Sequence, residues 1–95
     1  MNTKEFELLI TKIDELQNEA IEVMSKLISI DSVGPKNDGP GEKGKADFII
    51  EYLNKSGIQN IKNYPAPDPK VNSGERPNLV VTLEGRDISR TLWIL

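Results

Sequence analysis

The segment from Gly39 to Lys45 has the spacing of a phosphate-binding loop. It reads GPGEKGK, which matches G-x-G-x-x-G and the opening of G-x-x-x-x-G-K-[ST]. Such loops follow a strand and enter a helix, so that backbone N–H groups meet the phosphate. Here a predicted helix precedes the loop, Pro40 lacks an N–H, and Ala46 replaces the magnesium-binding hydroxyl. We therefore favour a flexible connection between helices and retain phosphate binding as a less favoured alternative.

Acidic side chains are the other residues whose spacing suggests chemistry. Asp14 with Glu15, or Glu15 with Glu19, would be candidates for a metal site or an acid–base pair. They lie opposite the apolar stripe of the first predicted helix, which favours a solvated helix face. Asp38 and Asp68 lie in predicted loops beside glycine or proline, where Asx turns or capping roles are expected.

The sequence contains no histidine and no cysteine. This excludes a Ser-His-Asp or Cys-His arrangement and a thiolate or imidazole zinc site within these 95 residues. Only a hard-cation site built from carboxylates remains possible. We therefore assign no catalytic residue, no cofactor-binding residue and no metal ligand to this chain.

Charge and composition narrow the classes of partner and the compartment. The net charge is −3, without the basic patch typical of nucleic-acid binders or of proteins that bind anionic membranes. No apolar stretch approaches the roughly 18 residues of a membrane span. The absence of disulfides and of a signal-peptide pattern leads us to expect a cytoplasmic protein.

Apolar periodicity predicts two helices. The first runs over residues 3–29, begins with a capping box between Asn2 and Glu5, and carries apolar residues at three- and four-residue steps. The second runs over residues 42–56. It ends at Gly57, a left-handed position, and Ile58 should contact Leu53 as in a Schellman motif.

Strands are predicted at residues 59–64, 78–83 and from Thr91 onward. Three prolines in 65–69 argue against regular structure there, and the loop continues to Pro77. Asn78 opens the second strand, and its side chain should pair with a neighbouring loop backbone. The fold class is therefore α/β, with two helices packed on a partial mixed sheet.

The last five residues, Thr91-Leu92-Trp93-Ile94-Leu95, predict a strand buried on both faces. Trp93 is expected to pack in the core. Chain termini usually lie at the surface of a domain. We therefore expect residues 1–95 to be the front part of one longer domain, truncated in its third strand.

The order of these segments resembles the N-terminal part of the M20 family of metal-dependent peptidases and deacylases. This family includes acetylornithine deacetylase and succinyl-diaminopimelate desuccinylase. The matching pieces cover essentially the whole chain, and they read LISIDSV at 27–33, GEKGKA at 41–46, LNKSGI at 53–58, RPNLVV at 76–81 and TLWIL at 91–95.

The resemblance implies a parent enzyme that cleaves amide bonds of N-acyl amino acids or small peptides. In that family two zinc ions, or cobalt or manganese, activate a water, and the ligands begin at a His-x-Asp segment just after the strand matching 91–95. No residue of this chain matches a ligand or catalytic residue, so the chain alone would be inactive. Its partner would be the remainder of the catalytic domain, and the parent may form a homodimer.

An alternative interpretation is a complete, non-catalytic interaction module. An exposed apolar strand edge can pair with another chain, so such a module could also self-associate through its open sheet edge.

Overall fold

The computed structural model describes residues Met1–Leu95 and contains three α-helices and four short strands. The helices are α1 (Thr3–Glu15), α2 (Gln17–Ser29) and α3 (Lys43–Lys55), with a 3₁₀ turn at Pro35–Asn37. The strands are β1 (Ile61–Asn63), β2 (Ala66–Pro67), β3 (Glu75–Arg76) and β4 (Leu79–Val81). The chain divides into two compact units, Met1–Asp31 and Ser32–Leu95. The mixed α/β class is confirmed, and none of the helices has the length and apolar character needed to cross a membrane.

The first unit begins with the predicted capping box. The Glu5 N–H donates to Asn2 Oδ1 at 2.8 Å, and the Asn2 N–H donates to Glu5 Oε2 at 3.1 Å. These reciprocal bonds satisfy two donors that a helix start would otherwise leave unpaired.

The prediction of one continuous helix over residues 3–29 is wrong, because the helix is interrupted at Leu16. Leu16 has φ −85° and ψ −2°, and its N–H donates to Ile13 O at 3.1 Å, three residues back. No proline or glycine marks this position, so the apolar pattern continues through it. The apolar stripe of α1 and α2 is not buried either: Phe6, Ile13 and Ile28 are 54, 53 and 73% exposed.

The second predicted helix is confirmed to within one residue at each end, and it ends as expected. Gly57 has φ +87°, and its N–H donates to Asn54 O at 3.0 Å. The Ile58 N–H donates to Leu53 O at 2.9 Å, which completes a Schellman motif.

Strands β1 and β4 pair antiparallel, with Lys62 opposite Val80. They occupy the centres of the predicted strands 59–64 and 78–83 but are shorter. The Asn78 side chain donates from Nδ2 to Tyr64 O at 3.1 Å, and the Asn78 N–H donates to Asn63 Oδ1 at 3.1 Å. The predicted pairing of the Asn78 side chain with a loop backbone is thus confirmed.

Strands β2 and β3 correct a second prediction, since residues 65–77 are not purely irregular. Pro67 lies opposite Glu75, and the Asp68 N–H donates to Gly74 O at 2.9 Å. A two-residue edge strand tolerates proline because its own N–H is not needed for pairing. The donor comes from Asp68 instead.

Residues Thr91–Leu95 form no strand, so the predicted third strand is not found. Both sheets are two-stranded and antiparallel, and the predicted mixed sheet is not present. Trp93 is 67% exposed, and its predicted core position is therefore wrong. The apolar run was read correctly as hydrophobic, but no second layer covers it. The buried hydrophobic residues are Ala46 and Val71.

Candidate functional site

The most enclosed part of the chain joins the loop before α3 to the turn between β2 and β3. Val71 in that turn is 4% exposed, and Ala46 in α3 is 6% exposed. Gly41 has φ +83°, and a Cβ there would lie 3.0 Å from Val71 Cγ1. Glycine is therefore required at position 41 for both its backbone conformation and this close approach.

Three charged side chains, which we call the Arg76 cluster, lie beside this contact. Arg76 on β3 donates from Nε to Glu42 Oε2 at 2.6 Å and from Nη2 to Glu42 Oε1. Its Nη1 donates to Asp68 Oδ2 at 3.4 Å. The Arg76, Glu42 and Asp68 side chains are 34, 39 and 20% exposed, so the cluster is only partly shielded from water. Its bidentate geometry connects the start of α3 to the β2–β3 hairpin.

The electrostatics of the cluster favour the ionised state of all its members. The hydrogen bonds from Arg76 lower the pKa of Glu42 below its ordinary value of 4.5. The same bonds raise the pKa of Arg76 well above its ordinary range. A carboxylate with a lowered pKa is a weak proton acceptor at neutral pH. The cluster is therefore suited to holding two segments together and not to acid–base catalysis.

A cavity of about 340 Å³ opens next to the cluster. It is lined by Gly34, Pro35, Lys36, Asn37, Asp68, Lys70 and Arg76. The lining contains no hydroxyl or thiol nucleophile, so this cavity does not have the composition of a nucleophilic active site.

Asp68 has the turn role that the sequence predicts and a second role that it does not. Its Oδ1 accepts the Lys70 N–H at 3.0 Å, as in an Asx turn. Its other oxygen binds Arg76. The contact of Arg76 with Glu42 was also not predicted, because 34 residues separate the two and no local pattern connects them. Asp38 has φ +59° and ends the 3₁₀ turn, in agreement with its predicted turn role.

The loop that matches phosphate-binding patterns uses its amides internally. The Gly39 N–H donates to Gly34 O at 3.1 Å, and the Gly41 N–H donates to Val33 O at 2.9 Å. The Lys43 ammonium pairs with Asp47 at 2.6 Å. A 3₁₀ turn and not a strand precedes the loop. This geometry differs from a phosphate cradle, in which the glycine amides point at the ligand.

The acidic residues of the first unit are exposed and do not form a cluster. Glu15 lies 3.4 Å from the Lys12 ammonium, and Asp14 and Glu19 are exposed on α1 and α2. Nowhere in the chain do three acidic side chains come together as metal ligands would. The residues present thus do not fit the dinuclear metal site that the M20 resemblance implies for a parent enzyme.

An apolar cleft of about 310 Å³ lies on the other side of the second unit. It runs beside β4 and is lined by Leu79, Val80, Val81, Leu83, Leu92, Trp93, Ile94 and Leu95. Its lining has no charged side chain, so its natural ligand would be apolar.

Comparison with known proteins adds one relative. The chain is 40% identical over 88 residues to an uncharacterized metallohydrolase of Methanocaldococcus jannaschii. The match covers 85% of this chain but 20% of the relative, so the chain spans about a fifth of the length of that protein. No protein-family profile matches the sequence, and no solved structure matches it. The chain is therefore similar to one part of a metallohydrolase.

Proposed function

We propose that residues 1–95 form the N-terminal part of the single catalytic domain of a metal-dependent hydrolase. The observation that carries this proposal is the 40% identity to a metallohydrolase over most of the chain. The order of segments that resembles M20 enzymes supports a narrower version, in which the parent cleaves amide bonds of N-acyl amino acids or small peptides. The chain alone is inactive in this proposal.

The role of this part would be structural. The Arg76 cluster and the Gly41–Val71 contact hold the start of α3 against the β2–β3 hairpin. The sequence has no histidine or cysteine, and its acidic residues form no group of three, so metal ligands and catalytic residues would come from the remainder of the catalytic domain. Two zinc ions, or cobalt or manganese, are the metals that the M20 resemblance implies. That remainder is the main partner, and the parent would be a homodimer.

The decisive experiment compares the 95-residue chain with the product of its complete natural reading frame. Both are assayed for hydrolysis of N-acetylornithine, N-succinyl-diaminopimelate and a panel of dipeptides, with zinc, cobalt or manganese added. We expect metal-dependent hydrolysis by the complete product and none by the 95-residue chain. We also expect a His-x-Asp segment within a few residues after Leu95. Hydrolysis by the 95-residue chain, or a reading frame without His-x-Asp, would contradict the proposal.

A further inference from the structure

One edge of the β1–β4 sheet presents unpaired backbone groups. The Tyr64 N–H donates to Asn78 O at 2.8 Å, and the Thr82 N–H donates to Asn60 O at 3.0 Å. Residues 78, 80 and 82 therefore face β1. Because the hydrogen-bonding direction alternates along an antiparallel strand, the N–H and C=O groups of Leu79, Val81 and Leu83 face away from it. This row of donors and acceptors, which we call the β4 edge, is open.

The β4 edge lacks the features that usually prevent strands from pairing between molecules. No charged residue and no proline lies between Leu79 and Leu83. Strand β1 carries Lys62 and Asn63, and β2 lies among Pro65, Pro67 and Pro69. Lysine and proline on an edge strand both disfavour edge-to-edge pairing. The β4 edge is thus the most exposed to pairing with another strand.

The side chains around the β4 edge favour an apolar partner. Leu83 is 74% exposed, and Leu92 and Ile94 in the facing segment are 87 and 89% exposed. The apolar cleft described above separates that segment from β4. A strand added at this edge would satisfy the backbone groups and cover part of this apolar surface.

We propose that the partner of the β4 edge is the β4 edge of a second copy of this chain. An antiparallel pair centred on Val81 places Val81 opposite Val81 and Leu79 opposite Leu83 of the second copy. All three outward-facing residues of each strand are then paired, as two-fold symmetry requires. The result is a four-stranded sheet in the order β1–β4–β4–β1.

The ends of this register are also compatible. Glu84 lies opposite Asn78 of the second copy, so no like charges face each other across the pair. Pro77, which has no N–H, lies opposite Gly85 and ends the ladder. The inference does not rest on the proposed hydrolase function, and a monomeric chain would leave that function unaffected.

Sedimentation equilibrium of the 95-residue chain from low to high micromolar concentration tests the pairing. We expect a concentration-dependent dimer. Val81→Lys places two ammonium groups opposite each other and should weaken dimerisation about tenfold. Asn60→Lys adds the same charge to the segment before β1 and should leave the dissociation constant unchanged. A wild-type chain that stays monomeric, or a dimer insensitive to Val81→Lys, would overturn the proposal.

A second pair of variants separates lost pairing from lost folding. An equimolar mixture of Val81→Lys and Val81→Glu chains places opposite charges across the pair, and we expect a heterodimer at least as stable as the wild-type dimer. Amide exchange at Leu79, Val81 and Leu83 should slow in that heterodimer. Failure of the mixture to associate, while each variant keeps its helical circular dichroism, would also overturn the proposal.

Discussion

The β2–β3 hairpin and the β1–β4 pair are both short antiparallel pairs, but their surroundings differ. The hairpin packs Val71 against Gly41 and is connected to α3 through Arg76 and Glu42. The β4 side has apolar side chains and an open edge, with Trp93 and its neighbours exposed. One side of the second unit therefore has its polar and apolar groups matched within the chain, and the other does not.

This difference shows where the chain can accept a partner. A polar cluster whose hydrogen bonds are already made gains little from a further molecule. An exposed apolar surface beside unpaired backbone groups gains both burial and hydrogen bonds. Interactions with a second copy, or with the remainder of a catalytic domain, should therefore concentrate at the β4 edge and at the apolar faces of α1 and α2.

The largest expected effect on the enclosed side comes from Gly41→Ala. The backbone at φ +83° disfavours any side chain, and the new Cβ would press on Val71. We expect a loss of about 2–3 kcal/mol in the free energy of unfolding, measured by urea denaturation. Gly57→Ala is the matched control, because its φ is +87° but no atom lies within 4 Å of the new Cβ. It should cost only about 1 kcal/mol, and equal losses would show that the contact with Val71 is unimportant.

Val71→Ala should have the next largest effect. Two buried methyl groups are removed from a residue that is 4% exposed, for a loss of about 1.5 kcal/mol. Leu83→Ala removes more apolar volume from a residue that is 74% exposed, and should change the free energy of unfolding by less than about 0.5 kcal/mol at low protein concentration. A larger loss for Leu83→Ala would remove the contrast between the two sides.

Glu42→Gln tests the contribution of the Arg76 cluster through its pH dependence. The folded-state pKa of Glu42 is lowered, so its stabilisation is fully present above the ordinary value of 4.5 and is lost as the pH falls through the folded-state pKa. The wild type should therefore exceed Glu42→Gln in urea midpoint at pH 7, and the gap should narrow under acid conditions. Because Arg76 and Glu42 are 34 and 39% exposed, solvent screening makes this effect smaller than that of Val71→Ala.

The control for this experiment is Glu15→Gln. Glu15 and its partner Lys12 are 59 and 72% exposed, and exposed pairs contribute little to stability. A gap between wild type and Glu42→Gln that stayed constant with pH would mean that the carboxylate charge does not stabilise the cluster.

Trp93→Ser should have the smallest effect. Trp93 is 67% exposed, and its replacement should change the free energy of unfolding by less than about 0.5 kcal/mol. The fluorescence emission of Trp93, the only tryptophan, should resemble that of a solvated indole at low protein concentration. A strongly blue-shifted emission from the monomer would indicate that residues 91–95 are packed, and the two sides would then be alike.

The accuracy of the sequence predictions follows the range of the interactions concerned. The capping box at Asn2 and the Schellman motif at Gly57 depend on residues within a few positions of each other, and both were predicted. The break at Leu16 has no proline or glycine to mark it. The contact of Glu42 with Arg76 spans 34 residues, and no local pattern could indicate it. The apolar run at 91–95 indicates hydrophobicity but cannot show whether another layer covers it.

The long separation between Glu42 and Arg76 also has a consequence during synthesis on the ribosome. At about 5–20 residues per second, the 34 residues between them take roughly 2–7 s to be added. During that interval α3 can form from its own local contacts, while Gly41 and Glu42 wait for the hairpin. Slow codons between these positions would lengthen the wait, and the nascent chain would then be most accessible to chaperones and proteases at the loop before α3.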